Sequence, residues 1–230
     1  MKAQSQTHGA THARGEPSHP LRMLIADDHS LVRRGLRQIL ADAFPNAEFG
    51  ETSTVPETLA ALRSHPWDLL VLDINMPGRS GLDVLKEMKS ASIKTPTLVI
   101  SVHSEDQYAL RALKAGAAGY LSKDTAPEQF LLAVERILGG RTFISPALAE
   151  KLADEMRGRR QAKSALERLS DREMEVLRLI GSGRTVKEIA GLLSLSVKTV
   201  STYRVRLLAK LRMKTNAELM RFALEERLVD

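Results

Sequence analysis

Four places in the first half of the chain set polar groups behind an apolar run. Asp27 and Asp28 follow Met23-Leu24-Ile25-Ala26, and Asp73 follows Leu69-Leu70-Val71-Leu72. Ser101 follows Thr97-Leu98-Val99-Ile100, and Lys123 comes just after Gly119-Tyr120-Leu121. Each alone is ordinary: an acid pair behind a strand often caps the next helix, and a Lys in a Lys-Asp turn is usually solvated. Joint placement is what carries chemistry. If the runs are strands of one parallel sheet, neighbouring ends lie about 5 Å apart, and three carboxylates brought so close repel and need a cation. Oxygen donors with open positions suit Mg²⁺, which keeps waters and binds phosphate oxygens. Ser101 can donate to an incoming phosphoryl oxygen, and Lys123 can pair with that phosphoryl or with Asp73. The set fits phosphoryl transfer to a carboxylate.

The elements that must position these groups follow from periodicity. Leu31, Leu36, Ile39 and Leu40 recur at helical spacing after the first run, and Ala47-Glu48-Phe49 reads as a second strand. Helices are expected from Val55 to Arg63, Leu82 to Met88, Asp106 to Ala115 and Phe130 to Leu138. Five strand–helix units with continuous apolar strands predict an α/β, doubly wound, five-stranded parallel sheet covered on both faces. Ligands of such sheets bind beyond the carboxyl ends of the strands, where the polar groups fall. Gly78-Arg79-Ser80-Gly81 runs into Leu-Asp rather than Lys-Ser or Lys-Thr, so it is no phosphate-cradling P-loop.

From Leu166 onward only helical periodicity appears. Ser170 with Glu173, Thr185 with Glu188 and Thr215 with Glu218 are three capping boxes, and Ser196 is a fourth N-cap candidate. They predict four short helices near 171–181, 186–193, 197–211 and 216–227, with a tight turn at Ser194-Leu195-Ser196. Val200, Leu207 and Leu211 give the third helix its core face, with Tyr203 at the edge. Lys198, Ser201, Thr202 and Val205 lie opposite, short enough to approach base edges in a major groove. Arg204, Arg206 and Lys210 flank that face, where phosphates would lie. A solvated amphipathic helix would look much the same, so the pattern alone leaves double-stranded DNA as one of two readings.

Bulk properties bound the rest. Net charge is +6, with −1 over residues 21–142 and +4 over 165–230, so the two halves suit different partners. Cysteine is absent, which excludes disulfides and thiolate metal sites and fits a reducing, cytoplasmic location. No apolar run approaches the roughly 20 residues of a membrane span, and no apolar core follows the N-terminal charges as in a secretory signal. Residues 1–20 read as a disordered tail, in which His8, His12 and His19 match no metal-site spacing. Residues 143–164 read as a linker whose second half is exposed, although Leu148 to Met156 can extend a helix.

Ile25-Ala26-Asp27-Asp28-His29, Leu72-Asp73-Ile74-Asn75-Met76-Pro77-Gly78, Val99-Ile100-Ser101 and Gly119-Tyr120-Leu121-Ser122-Lys123 make residues 22–141 resemble a flavodoxin-like receiver domain of two-component response regulators. The resemblance implies that Asp73 is the phosphoacceptor and that Asp28, Asp73 and the Asn75 carbonyl bind Mg²⁺, with Asp27 assisting through water. It implies Ser101 as switch hydroxyl, Lys123 as phosphate partner and Tyr120 as switch aromatic; core packing remains the alternative for Tyr120.

Leu169-Ser170-Asp171-Arg172-Glu173, Lys187-Glu188-Ile189-Ala190 and Leu195-Ser196-Val197-Lys198-Thr199-Val200 resemble the LuxR-type helix-turn-helix of NarL/FixJ regulators. Val186 and Tyr203 depart from that pattern, where Asn and His are usual. The pair implies a transcriptional regulator with a sensor histidine kinase and operator DNA as partners, dimerising when phosphorylated, with DNA contacts drawn from Lys198, Thr199, Ser201, Thr202, Tyr203, Arg204, Val205, Arg206 and Lys210. Two rivals are an aspartyl-phosphate hydrolase and a receiver that never meets DNA. Asn75 stands where the hydrolase would place a second acid, and the basic helix pair argues against the latter, so no enzyme is expected.

Overall fold

The computed structural model describes residues 20–76, 79–102, 105–145, 148–150, 153, 165–226 and 228–229. The N-terminal tail, Pro77-Gly78 and the second half of the linker therefore lie outside the described residues. Five strands, β1 (Arg22–Ala26), β2 (Glu48–Thr52), β3 (Leu69–Asp73), β4 (Thr97–Ser101) and β5 (Gly119–Ser122), form one parallel sheet in the order β2-β1-β3-β4-β5. The helices α1 (Ser30–Ala43), α2 (Val55–Ser64), α3 (Gly81–Ser90), α4 (Glu105–Ala115) and α5 (Pro127–Leu138) alternate with them.

Because side chains alternate across a strand, each apolar run feeds two cores. Met23, Ile25, Leu69, Val71, Leu98, Ile100 and Leu121 pack beneath α1 and α5. Leu24, Ala26, Leu70, Leu72, Val99 and Tyr120 face α2, α3 and α4. Strand β2 is longer than expected and half-exposed at the sheet edge. In α1 only Leu40 is fully buried, and Leu31 is 82 % exposed, so the expected apolar stripe is narrower at its start.

After the 3₁₀ turn Ala165–Arg168 come α6 (Asp171–Gly181), α7 (Val186–Leu192), α8 (Val197–Leu211) and α9 (Asn216–Glu225). All three expected capping boxes form at Ser170, Thr185 and Thr215, and the Ser196 hydroxyl accepts from Thr199 N–H. Gly183 takes the left-handed backbone between α6 and α7, and Ser194 takes it in the turn between α7 and α8. Among the described residues no helix is long and apolar enough to cross a membrane.

The helical domain docks on α3 and α4. The Arg111 guanidinium donates to Leu166 O at 2.6 Å, Leu169 O at 2.9 Å and Asp171 Oδ1 at 3.0 Å. Lys86 Nζ donates to Asp171 Oδ2 at 2.6 Å. Tyr108 and Leu169 are both buried, and the apolar core is continuous across this contact.

Candidate functional site: an acidic pocket and an exposed helix

Strand register brings the expected polar groups together. Ala26 pairs with Leu72 and Asp73 with Ile100, so the ends of β1, β3 and β4 are level. Ser101 pairs with Ser122, and Lys123 N–H donates to Ser101 O at 2.7 Å. Asp27, Asp73 and Ser101 are buried. Lys123 Nζ donates to Asp73 Oδ2 at 2.7 Å and lies 2.6 Å from Asp27 Oδ2. Asn75 N–H donates to Asp73 Oδ1 at 3.2 Å.

Burial pushes the Asp73 carboxyl up. Lys123 and the Asn75 N–H pull it down, Asp27 adds to the rise, and the net value is about 6. Burial alone would lower the Lys123 ammonium, but Asp73 and Asp27 outweigh it and hold it above its ordinary value. A carboxylate so placed is ionised at neutral pH yet poorly compensated, which suits a nucleophile more than a structural ion pair.

Two residues that position this pocket escaped the sequence reading. The His29 ring nitrogen Nδ1 lies 2.7 Å from Asp28 Oδ1, and one ligand atom each from Asp27, Asp28, His29 and Asp73 falls within 4.8 Å of the others. The signal was in the sequence, since His29 directly follows the acid pair. Gly81 is the other. A Cβ there would sit 2.1 Å from Asp73 O, so only glycine lets α3 start against the backbone at the end of β3. Its N–H donates to Ile74 O at 2.8 Å. Tyr120 is fully buried in the core that faces α4.

On α8, Lys198, Thr202, Val205 and Arg206 are exposed and Thr199, Ser201, Tyr203 and Arg204 half-buried, while Val200 and Leu207 are buried. The expected core face and outer face are thus both in place. Arg204 Nε donates to Asn216 Oδ1 at 2.5 Å. Lys210 is 40 % exposed and its ammonium donates to Glu173 Oε2 at 2.6 Å and Arg168 O at 3.2 Å, a pairing the helix pattern did not signal. Glu173 is buried, which raises its carboxyl. Lys210 and the capping bonds from Ser170 outweigh that and hold it below the ordinary range. Lys210 therefore ties α8 to the start of α6.

An open parallel sheet with an acid triad and a Lys at its carboxyl edge, joined to a helix-turn-helix, is the arrangement of a signalling domain fused to a helical DNA-binding one. The comparisons agree with this class. Residues 23–135 match the response regulator receiver domain, and residues 167–223 match the bacterial regulatory proteins of the luxR family. The response regulator UvrY of Escherichia coli K12 is 32 % identical over 204 residues, covering 89 % of this chain and 94 % of its own. Among solved structures, a LuxR-family response regulator from Aurantimonas sp. SI85-9A1 aligns with TM-score 0.54 and 31 % identity over 60 % of this chain and 99 % of its own. The RcsB response regulator of Salmonella typhimurium aligns with TM-score 0.53 and 25 % identity over 89 % and 98 %. The chain belongs to the DNA-binding two-component response regulators of the NarL/FixJ type, with a receiver domain and a luxR-type helix-turn-helix. Neither family model describes an enzyme.

Proposed function

We propose that a sensor histidine kinase phosphorylates Asp73 and that this modification controls binding of the helix-turn-helix domain to operator DNA. The buried Asp73 carboxylate, with Lys123 at 2.7 Å and two further carboxylates beside it, carries the reading. An Asp73 oxygen attacks the phosphorus of a phosphohistidine. The P–N bond breaks, the imidazole leaves with a proton from solvent, and an acyl phosphate forms. Lys123 offsets the charge gathering on the phosphoryl oxygens, and Ser101 stands on the neighbouring strand to donate to one of them.

The pocket fits a hard divalent cation. Asp27 Oδ2 and Asp28 Oδ1 are buried and meet Lys123 and His29 without good hydrogen-bond geometry, which leaves lone pairs for a metal. Asp28 and Asp73 would hold Mg²⁺ with the Asn75 carbonyl, Asp27 assisting through water. When bound, Mg²⁺ supplies charge neutralisation between carboxylate and phosphoryl oxygens. Tyr120, buried beneath α4, would follow Ser101 as the phosphoryl draws it inward.

On the DNA side, Lys198, Ser201, Thr202 and Val205 would read base edges, Arg204 and Arg206 would meet phosphates, and Thr199 and Tyr203 would add contacts beside them. Residues 21–142 form the receiver, 143–164 the linker and 165–230 the DNA-binding domain. Phosphorylation promotes a dimer that places two reading helices on a two-fold site, with exposed Met220 and Leu224 of α9 as one contact surface.

Acetyl phosphate with Mg²⁺ should add one hydroxylamine-labile phosphoryl group, read by intact mass. EDTA and Asp73→Asn should each abolish it. Labelling of the variant at the wild-type level would refute the assignment. Gel shifts on genomic fragments, with and without phosphodonor, test the coupling to DNA.

A further inference from the structure

His29 holds the N-cap position of α1, yet its side chain makes no capping bond. Residues chosen to cap are Ser, Thr, Asp and Asn. The ring instead turns to the pocket, with Nδ1 2.7 Å from Asp28 Oδ1 and 3.4 Å from Asp27 Oδ1. The backbone N–H of His29 donates to Asp27 Oδ1 at 2.8 Å and fixes the residue beside the acid pair. Lys123 meets the same pocket through different oxygens, Asp27 Oδ2 and Asp73 Oδ2, so the imidazole and the ammonium do not compete for one position. Cis ligands of an octahedral ion bound at about 2.1 Å lie about 3 Å apart, and the 2.7 Å from His29 Nδ1 to Asp28 Oδ1, the acid placed as a direct ligand, is close to that spacing. The His29 side chain is 64 % exposed, so the ring can move by a few tenths of an ångström without unpacking the core.

We propose that His29 supplies an imidazole ligand to the divalent cation in the carboxylate pocket, biasing this pocket towards Mn²⁺ over Mg²⁺. The inference rests on reading the pocket as a cation site and adds a ligand to it. Carboxylate, carbonyl and water ligands alone serve Mg²⁺ and Mn²⁺, but a neutral imidazole gains more from a transition metal than from Mg²⁺, which dehydrates reluctantly and prefers oxygen. The exposed His29–Asp28 contact contributes little as a plain ion pair, so metal ligation gives the residue a consequence that surface electrostatics does not.

Mn²⁺ is the suitable probe. Softer ions such as Ni²⁺ and Zn²⁺ bind even single imidazoles more strongly, and the chain has five histidines besides His29. The full chain is titrated with Mn²⁺, free ion is read by electron paramagnetic resonance, and Mg²⁺ is added as competitor. Pulsed resonance then looks for ¹⁴N coupling from a directly bound imidazole. Wild type should show that coupling on the Mg²⁺-displaceable ion. His29→Phe, which keeps a ring, should lose it, with a roughly tenfold fall in Mn²⁺ affinity and Mg²⁺ affinity unchanged within about twofold. Bound, Mg²⁺-displaceable Mn²⁺ without nitrogen coupling in wild type overturns the His29 role and leaves the cation site standing. Coupling that survives in His29→Phe, or equal losses for both ions, overturns it too. No displaceable Mn²⁺ at all would overturn the cation site itself.

Discussion

Asp73 is held in the folded protein at a cost, and removing its charge should stabilise the receiver. Its carboxyl moves from the ordinary 3.8 to about 6 in a site that is 1 % exposed. At about 1.4 kcal/mol per unit, that shift destabilises the folded form on the order of 3 kcal/mol once Asp73 is ionised. The sign follows from linkage. Between pH 4 and 6 the folded state holds a proton that the unfolded chain has released, so wild-type stability falls as pH rises through that window and is flat above it. In Asp73→Asn the amide oxygen can still accept from Lys123, which also keeps Asp27 at 2.6 Å. The favourable Lys123 contact is already contained in the net shift. The variant should therefore be about 3 kcal/mol more stable at pH 7.5, roughly 8 °C in Tm, with the gain vanishing below pH 4. Trp67 is the only tryptophan and lies in the receiver, so its fluorescence in urea follows this domain alone. Mg²⁺ should narrow the gap and EDTA restore it. Equal stabilities at pH 7.5, or a gain that persists at pH 4, would refute the reasoning.

The two cations at the end of α8 should separate. Arg206→Ala should reduce the salt dependence of DNA binding by about one counterion, whereas Lys210→Ala should leave that slope unchanged and destabilise the helical domain by about 2 kcal/mol, because Glu173 is left buried without its ammonium; equal slopes in urea and in salt for the two variants would contradict this. Gly81→Ala should prevent α3 from seating against Asp73 O, with a loss above about 2 kcal/mol in the Trp67 transition and lower acetyl phosphate labelling; a wild-type transition would count against the close approach. Arg111→Ala should weaken domain docking about 30-fold, near 2 kcal/mol, as Leu166 O and Leu169 O lose their donor. Distances between labels on two cysteines introduced into this cysteine-free chain, followed in urea, check it, and an unshifted undocking midpoint would speak against the clamp.

What could be read in advance depended on local rules. Apolar runs of four or five residues marked the strands because each buries both faces, and the capping boxes at Ser170, Thr185 and Thr215 marked helix starts because the bonds span only three residues. The pocket was legible because level strand ends of a parallel sheet bring Asp27, Asp73, Ser101 and Lys123 together. The Arg111 clamp was not, since its partners lie 55 to 60 residues away and no periodicity signals them. The Lys210 bond to Glu173 was not legible either: the helix face predicts the exposure Lys210 has, but its partner sits on another helix 37 residues away. Leu31 fits the spacing of α1 but is 82 % exposed in the helix's first turn.

The docked arrangement also constrains how the two halves can influence one another. A regulator silenced by masking would bury the outer face of α8, yet Lys198, Thr202, Val205 and Arg206 are exposed while the domains are in contact. What docking takes instead is α4. Tyr108 is buried, and the Arg111 guanidinium is committed to Leu166 O, Leu169 O and Asp171. Tyr120, buried beneath that helix, belongs to the same apolar core as Tyr108 and Leu169. A cleft of about 230 Å³ between Asn75 and Met76 on one side and Glu175, Arg178 and Leu192 on the other brings the helical domain to the loop that follows Asp73. Two contacts therefore join the surroundings of Asp73 to the helical domain, that loop against α6 and α7, and α4 against α6 and the turn before it, and neither covers the outer face of α8. Under the phosphorylation proposed above, coupling is expected to act first on whether α4 and α6 stay together.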